Sequence, residues 1–527
     1  MKDRIDKVLD SWTKDKNFRC RLFLEGILVG LGSGVTVGLF RYLLQLAEQG
    51  RPWVYEQVRQ SLQAGELGWV LGYIACFLVA AVLLSKLVHH EPMCTGSGIP
   101  QIKGILLGKM YMRWYSVLVA KILGGVLAIG AGMSLGREGP SVQIGASAGQ
   151  GVSRSLGRTR FEERFLMTAG SGAGLAAAFN APLAGVIFGM EELQKSFSPL
   201  LLMASITAAV SATTVTQVFF GMSPVFHVGS LPVLPIEQYG ILIGFGVVMG
   251  LVGRLFNPAL LYALGWYEKA KLTGVAKPLL PLSLAAILGF VLPEILGGGH
   301  LLVDMLVEQN FALGFLLLLV VGKFLFTMVC FGSGVPGGIF LPMLVLGAGS
   351  GAVFSKLLVM GNLLPELYAG DIIVFGMAAY FAAVVKSPVT GSVLIMEMTG
   401  SFTHMLPLIC VSMVAYLVAD LTGGKPVYDE LLNRSLAQRN RLHSWEDSVS
   451  NHRLALELTI HSGSYLAGKE IQAVQWPAKT VIVEVRRGMY RLVPKGNLTL
   501  QEGDYLYVMT EDTSISPLEK MCQEPKI

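Results

Sequence analysis

Three short segments of this sequence are built alike. Gly96-Ser97-Gly98-Ile99-Pro100, Gly136-Arg137-Glu138-Gly139-Pro140 and Gly337-Gly338-Ile339-Phe340-Leu341-Pro342 each free the backbone with glycine and then open a helix with proline. A helix N-terminus offers unpaired N–H groups and the positive end of the helix dipole. Several such ends aimed at one point make an anion site without a full positive charge. That suits transport, because a buried Lys or Arg would hold an anion too tightly to release it. A fourth segment, Gly423-Gly424-Lys425-Pro426, leads to Tyr428, and paired acids stand at Glu191-Glu192.

The elements that carry these segments are those of a membrane protein. Of 527 residues, 53% are hydrophobic and 15% charged, against about 25% charged in a soluble chain. Mean hydropathy is +0.57. Long apolar stretches run near 22–47, 68–88, 114–135, 198–220, 238–265, 279–296, 311–331, 371–396 and 404–421; a full span needs about 20 such residues. Between them, 94–108, 136–152, 168–190 and 332–352 are cut by Gly and Pro and are too broken for simple spans. Irregular backbone at membrane depth persists only where protein buries it or water lines it, so broken helices point to a transport site.

The sequence also repeats. Gly130–Pro140 matches Gly332–Pro342 at an offset of 202 residues, with Gly145 and Gly149 against Gly347 and Gly351. Ala181-Pro-Leu-Ala-Gly185 with Glu191 matches Ser387-Pro-Val-Thr-Gly391 with Glu397 at an offset of 206. A duplicated half of about 200 residues predicts a binding site where the two copies meet. By the repeat, Glu191 aligns with Glu397 and reads as structural.

Basic residues cluster in the first 21 residues, at Lys103, Lys109 and Arg113, at 154–164 and at 269–277, while 222–236, 298–309 and 361–370 contain no Lys or Arg. The positive-inside rule places the former in the cytoplasm and the latter outside. The stretch 48–66 fits poorly, since it should be external yet holds Arg51 and Arg59. Residues 1–21 read as a cytoplasmic amphipathic segment, with no signal peptide. Lys121 and Lys386 lie in apolar runs and read as paired or snorkelling residues without a transport role. The six cysteines lack metal spacing and read as free buried thiols.

After Tyr428 the composition changes. Residues 430–451 are polar, as expected of a linker, and 452–520 alternate in a strand-like way at Leu454–Ile460, Thr480–Arg486, Tyr490–Val493, Leu498–Leu500 and Tyr505–Thr510, with a short helix over Ala467–Val474. The fold expected is an all-α polytopic membrane protein with a small cytoplasmic α+β C-terminal domain.

Taken in order, the four segments over about residues 20–435 resemble the CLC family of chloride channels and chloride/proton exchangers. The resemblance implies a membrane domain at 22–429 of two inverted halves with broken helices. It also implies a homodimer with one anion pathway per subunit, multi-pass in a bacterial inner (plasma) membrane, with both termini cytoplasmic. By the same resemblance, Ser97 and Tyr428 donate hydroxyls to chloride, and the backbone N–H groups of Ile339 and Phe340 complete the site. Glu138 is the external gate, and Glu192 the internal proton-transfer residue. Gly96, Gly98, Ile99, Pro100, Gly136, Arg137, Gly139, Pro140 and Gly338 belong to the anion-pathway loops. Nitrate-preferring plant relatives carry Pro where this chain has Ser97, and fluoride exporters commonly Met, so Ser97 favours chloride.

Residues 452–520 resemble the TrkA-C (RCK-C) domain of potassium-transport regulators, which implies a regulatory module with an unidentified small ligand; plain structural capping is the alternative. The expected function is exchange of chloride for protons. The alternative is a passive voltage- or pH-gated chloride channel of the same fold; exchangers usually keep an acid at the position of Glu192 and channels do not. A potassium-uptake component, suggested by the tail, does not account for the anion-friendly helix ends. No nucleophile constellation or metal spacing supports an enzyme, no cofactor is expected, and a net charge of +5 suggests no nucleic-acid partner.

Overall fold

Apolar runs become helices along most of the chain, because only a helix satisfies all its backbone groups internally in a medium without water. The computed structural model describes residues 16–226, 228–229, 232–446, 454–460, 463–477, 480–487, 490–510 and 515–523. The expected N-terminal segment therefore lies, up to residue 15, outside the described residues. One compact unit runs to Leu432 and a second takes the chain from Asn433. Among the described residues, eight helices are long and apolar enough to cross a membrane, so the protein is multi-pass.

The helices of the first unit are α1 (Lys16–Ala64), α2 (Gly68–His90), α3 (Ile99–Leu106), α4 (Trp114–Gly130), α5 (Glu138–Ser155), α6 (Arg160–Phe179) and α7 (Pro182–Phe188). A π-helical turn, Gly189–Gln194, follows α7. Next come α8 (Pro199–Phe220), α9 (Tyr239–Arg254), α10 (Phe256–Lys269), α11 (Ala276–Val291), α12 (His300–Glu308) and α13 (Leu313–Gly332). The set closes with α14 (Phe340–Met360), α15 (Ala369–Val385), α16 (Pro388–Thr399), α17 (Met405–Leu421) and α18 (Val427–Glu446). Residues 430–446 of the expected linker are thus helical; 447–451 lie outside the described set.

Two apolar stretches expected as single spans are pairs of helices. The stretch 238–265 breaks at Leu255; Pro258, in the first turn of α10, has no N–H to continue the ladder. The stretch 371–396 breaks at Lys386, whose φ is +70°, ahead of Pro388. Many apolar side chains of α2 point outward, among them Leu71, Ile74, Leu78 and Val79, as lipid-facing residues do. Cys94, Cys330 and Cys522 are buried, but Cys20 and Cys76 are exposed, against the expectation of buried thiols throughout.

The duplication is visible in backbone angles. Ala181 has φ −127°, ψ 76° and Ser387 has φ −126°, ψ 75°, and each follows a left-handed residue, Asn180 or Lys386. The caps are reciprocal. Glu191, from the first half, accepts the N–H groups of Val389 (3.3 Å) and Thr390 (2.7 Å) at the start of α16. Glu397, from the second half, accepts those of Leu183 (3.1 Å) and Ala184 (2.8 Å) at the start of α7. The repeated glycines let helices touch: a Cβ on Gly145 would overlap Gly170 O, and one on Gly347 would overlap Gly376 O.

A second duplicated device involves lysines. Lys121 donates to the carbonyls of Cys94 (2.9 Å) and Gly96 (2.6 Å). Lys323, 202 residues on, donates to those of Ile295 (2.9 Å) and Gly297 (2.7 Å). Gly96 and Gly297 have φ of +57° and +61°, and Gly98 and Gly299 have +91° and +94°. Lys121 is thus held by carbonyls rather than by an ion pair, while Lys386 lies 3.6 Å from Asp420.

The second unit is a small α+β fold. Strands β1 (Leu454–Thr459), β2 (Val481–Arg487), β3 (Tyr490–Leu492) and β4 (Tyr505–Thr510) form an antiparallel sheet in the order β1-β4-β2-β3. Leu506 and Val508 alternate inward onto Leu458, Val485, Leu466 and Leu518 of α19 (Ile515–Gln523). The helix expected over Ala467–Val474 is only a 3₁₀ turn at Ile471–Ala473, because Gly468 is left-handed at φ +79°. The strand expected at Leu498–Leu500 is not one; Leu500 bonds Lys469 O (2.8 Å) and Gly468 N (2.8 Å) in that irregular loop instead. Asp504, fully buried, accepts from Arg487 Nε (2.8 Å), Arg487 Nη2 (2.9 Å) and Gln501 N (2.8 Å). The bonds from Arg487 to the Asp504 carboxylate hold the guanidinium above its ordinary value.

Candidate anion site

Backbone pairing stitches the three glycine-rich segments together. Gly136 N–H donates to Gly338 O (2.7 Å) and Gly338 N–H returns a bond to Gly136 O (2.8 Å). Gly96 N–H donates to Val335 O (3.2 Å), and Gly337 N–H to Gly96 O (3.0 Å). The N-termini of α3, α5 and α14 therefore start from one knot, which draws on both halves. Glycine is required here for closeness as well as conformation. A Cβ on Gly139 would sit 2.6 Å from Ser97 Oγ and 3.2 Å from Gly338 Cα, and one on Gly98 would meet Gln143 Oε1 at 2.5 Å.

Ser97 lies in this knot, buried, and its Oγ has no hydrogen-bond partner among the described residues. The hydroxyl of Tyr428 is in the same condition. A buried unpaired hydroxyl is costly unless a ligand meets it. Tyr428 enters on the first turn of α18, where the next residue, Asp429, forms an ion pair with Lys103 of α3. Ile339 and Phe340 are fully buried at the start of α14, where the first N–H groups have no acceptor inside their own helix. The Phe340 ring packs against Phe381 (4.6 Å between centroids), Phe179 (5.8 Å) and Phe188 (6.3 Å), which gives the site a dry wall.

Glu138 begins α5 with its carboxylate inside the protein. Oε2 accepts the Leu341 N–H at 3.3 Å, so a carboxylate occupies part of the amide cradle of α14. Oε1 lies 3.9 Å from Arg137 Nε, with no hydrogen-bond partner among the described residues. Arg137 also lines a cavity of about 910 Å³ together with Glu48, Arg51, Arg59 and His300. This accounts for the misfit of 48–66: its charges face a cavity also lined by Ser223–Val225 and Gly298–Leu302, parts of the stretches that lack Lys and Arg.

Glu192 has other neighbours. It sits on the π-helical turn, a distortion that recurs at functional sites. Its Oε1 lies 2.7 Å from Lys103 Nζ, and its Oε2 accepts from Ser387 Oγ at 2.9 Å. The structure thus brings Ser97, Gly136, Gly139, Gly338 and Glu138 together, and places Glu192 in a separate polar cluster on the side of α3 and α18. Leu341, Lys103, Ser387 and Asp429 were not legible as site residues. Lys103 in particular reads from sequence only as one of the cytoplasmic basic residues, and its side chain is 4% exposed.

The voltage gated chloride channel family model matches residues 76–420, and that of the TrkA-C domain residues 455–523. The chain belongs to the CLC chloride-channel family. A curated CLC relative, the H(+)/Cl(-) exchange transporter ClcA of Vibrio cholerae serotype O1 (strain M66-2), is 37% identical over 452 residues, which is 82% of this chain and 93% of that one. The protein of the same name from Salmonella agona (strain SL483) is 35% identical over 446 residues, or 83% and 93% of the two chains. Among solved CLC structures, a slow cyanobacterial Cl-/H+ antiporter superposes with a TM-score of 0.73 at 33% identity, covering 80% of this chain and 99% of its own. A CLC-type fluoride/proton antiporter shares the fold, with a TM-score of 0.65 at 19% identity over 79% of this chain and 98% of its own.

Proposed function

We propose that this CLC protein is a secondary transporter that exchanges chloride for protons, with Glu138 as the gate and Glu192 as the internal proton-transfer residue. The observation that carries the reading is the Glu138 carboxylate on the Leu341 N–H, an acid seated where amides of α14 would hold an anion. The donors for chloride are the Ser97 and Tyr428 hydroxyls and the Ile339 and Phe340 N–H groups, all uncharged, so binding stays weak enough for release. Chloride displaces the carboxylate, the carboxylate takes a proton and turns away, and the side chain returns to the cradle as an anion once that proton has passed on by way of Glu192. One acidic side chain competing with one anion thereby links the two fluxes. The relatives named for H(+)/Cl(-) exchange support the exchange reading.

The membrane part is taken as 22–429, preceded by a cytoplasmic segment at 1–21, and followed by a linker at 430–451 and a regulatory TrkA-C-like domain at 452–520 with a small ligand. The protein works as a homodimer in a bacterial inner membrane with both termini in the cytoplasm. The second reading is a passive chloride channel of the same fold. The test is proton uptake driven by a chloride gradient in reconstituted vesicles. Exchange predicts uphill proton movement that Glu192→Gln abolishes while chloride flux persists; a wild-type protein that moves chloride without protons is a channel.

A further inference from the structure

Glu192 does not face water directly. Its side chain is 3% exposed, and Lys103 Nζ stands 2.7 Å from its Oε1. The same ammonium forms an ion pair with Asp429 Oδ1, and Asp429 Oδ2 lies 2.6 Å from Lys195 Nζ. The row of charges therefore runs Glu192, Lys103, Asp429, Lys195, from a sealed carboxylate to a lysine half exposed at 53%. Other charges on the elements around it are engaged elsewhere: Lys386, beside Ser387, lies 3.6 Å from Asp420, and Glu430 of α18 lies 3.4 Å from Lys425. Helices α7 and α8 carry no charged residue. On α6, Glu162 is engaged by Arg21 and Thr159, Glu163 by Arg154 and Gln150, and Arg164 lies against Gly108. The adjacent Glu191 is turned to the α16 amides.

Lys103 is thus the dominant electrostatic partner of Glu192, and it is shared. A cation between two carboxylates stabilises each less than it would stabilise one alone, because each carboxylate repels the other. Asp429 follows Tyr428 on the first turn of α18, so the second holder of Lys103 sits on the helix that carries a chloride-donor candidate.

We propose that Lys103 and Asp429 are a pair of positioning residues that sets the pH at which Glu192 takes up its proton and ties that value to the helix bearing Tyr428. The proposal rests on the exchange reading and deepens it. The signs are opposite for the two partners. Loss of Lys103 removes the cation that favours the ionised form of Glu192, so Glu192 is protonated at higher pH. Loss of the Asp429 charge leaves Lys103 wholly to Glu192, so protonation requires lower pH. An opposite charge at this range moves a carboxylate by about 1–3 pH units.

The experiment measures proton and chloride fluxes of the full chain in vesicles while pH is varied on the face of the protein that carries Lys195. Lys103→Met should move the midpoint of proton flux upward by about one pH unit or more, Asp429→Asn should move it downward by a smaller amount, and Lys103→Arg should restore the wild-type midpoint. Both midpoints moving in one direction, or neither moving, overturns the proposal. Should Lys103→Met fail to fold, the downward shift in Asp429→Asn and its absence decide the matter in the same way. Absence of proton flux in the wild type defeats the exchange reading itself, whereas unshifted midpoints with intact exchange defeat only this inference.

Discussion

Glu138 Oε2 and the Leu341 N–H lie 3.3 Å apart, and they belong to opposite halves of the duplicated unit. A carboxylate from one repeat thus fills part of the amide cradle opened by the other. The two loops are held at that distance by the paired bonds between Gly136 and Gly338, so the carboxylate can leave without disturbing the cradle. Glu138→Gln should therefore keep chloride flux and lose its coupling to protons, since the amide neither carries the charge nor takes the proton. Parallel chloride and pH electrodes on vesicles read this directly; coupled proton flux surviving in the variant would remove Glu138 from the gate.

The unpaired hydroxyls give a second prediction. Tyr428→Phe removes one donor without changing shape, and a hydrogen bond to a charged partner is worth about 1.5–3 kcal/mol. Chloride affinity measured by calorimetry should fall roughly tenfold or more. Ser97→Pro removes the other hydroxyl and should raise nitrate over chloride coupling. Unchanged affinity in the first variant and unchanged reversal potentials in the second would take both groups out of the site.

The lysine clamps make a paired comparison possible. Lys121 and Lys323 bind equivalent carbonyls in the two halves, yet only the Lys121 clamp holds the loop that carries Ser97. Each substitution to Met orphans two buried carbonyls, at about 1–3 kcal/mol apiece. Lys121→Met and Lys323→Met should both lower the melting temperature, but only Lys121→Met should also weaken chloride binding. Equal effects on binding would deny the special role of the first loop.

In the tail, Asp504→Asn should break the two-pronged contact with Arg487. The arginine side chain is one-third exposed, so water recovers part of the loss, leaving about 1–3 kcal/mol. Hydrogen exchange should quicken in 454–459, 481–487 and 505–510 while α5 and α14 are unaffected. Protection unchanged in those strands would mean that the pair does not hold the sheet.

How much was legible depended on whether a signal survived in composition. The Gly/Pro segments announced themselves because glycine and proline are needed wherever backbone must turn inside an apolar environment, and the matched pairs at 140/342 and 182/388 carried the duplication. The break at Lys386-Ser387 is hidden inside 371–396 even though Ser387-Pro388 matches Ala181-Pro182, because its flanks are apolar. The counterpart of the Ser97 loop at Gly297–Gly299 leaves little trace in the sequence as well. It keeps only the two glycines, and the lysine that secures it lies far along the chain. Lys103 and Asp429 could not be paired from sequence, since burial of a charge beside another depends on how α18 returns to α3. In the tail, period-2 alternation located the four strands, whereas Leu498–Leu500 alternates equally well but meets a loop bent by Gly468 instead of a strand.

The central claim is that amides from both halves, with Ser97 and Tyr428, converge on one anion that Glu138 can replace. Anomalous diffraction from crystals soaked in bromide tests it most directly. The account predicts a bromide peak beside Ser97, Phe340 and Tyr428, with a further peak at the carboxylate position beside the Leu341 N–H when Glu138 is changed to Gln. Crystals that bind bromide elsewhere and show no peak at Ser97, Phe340 and Tyr428 would contradict it.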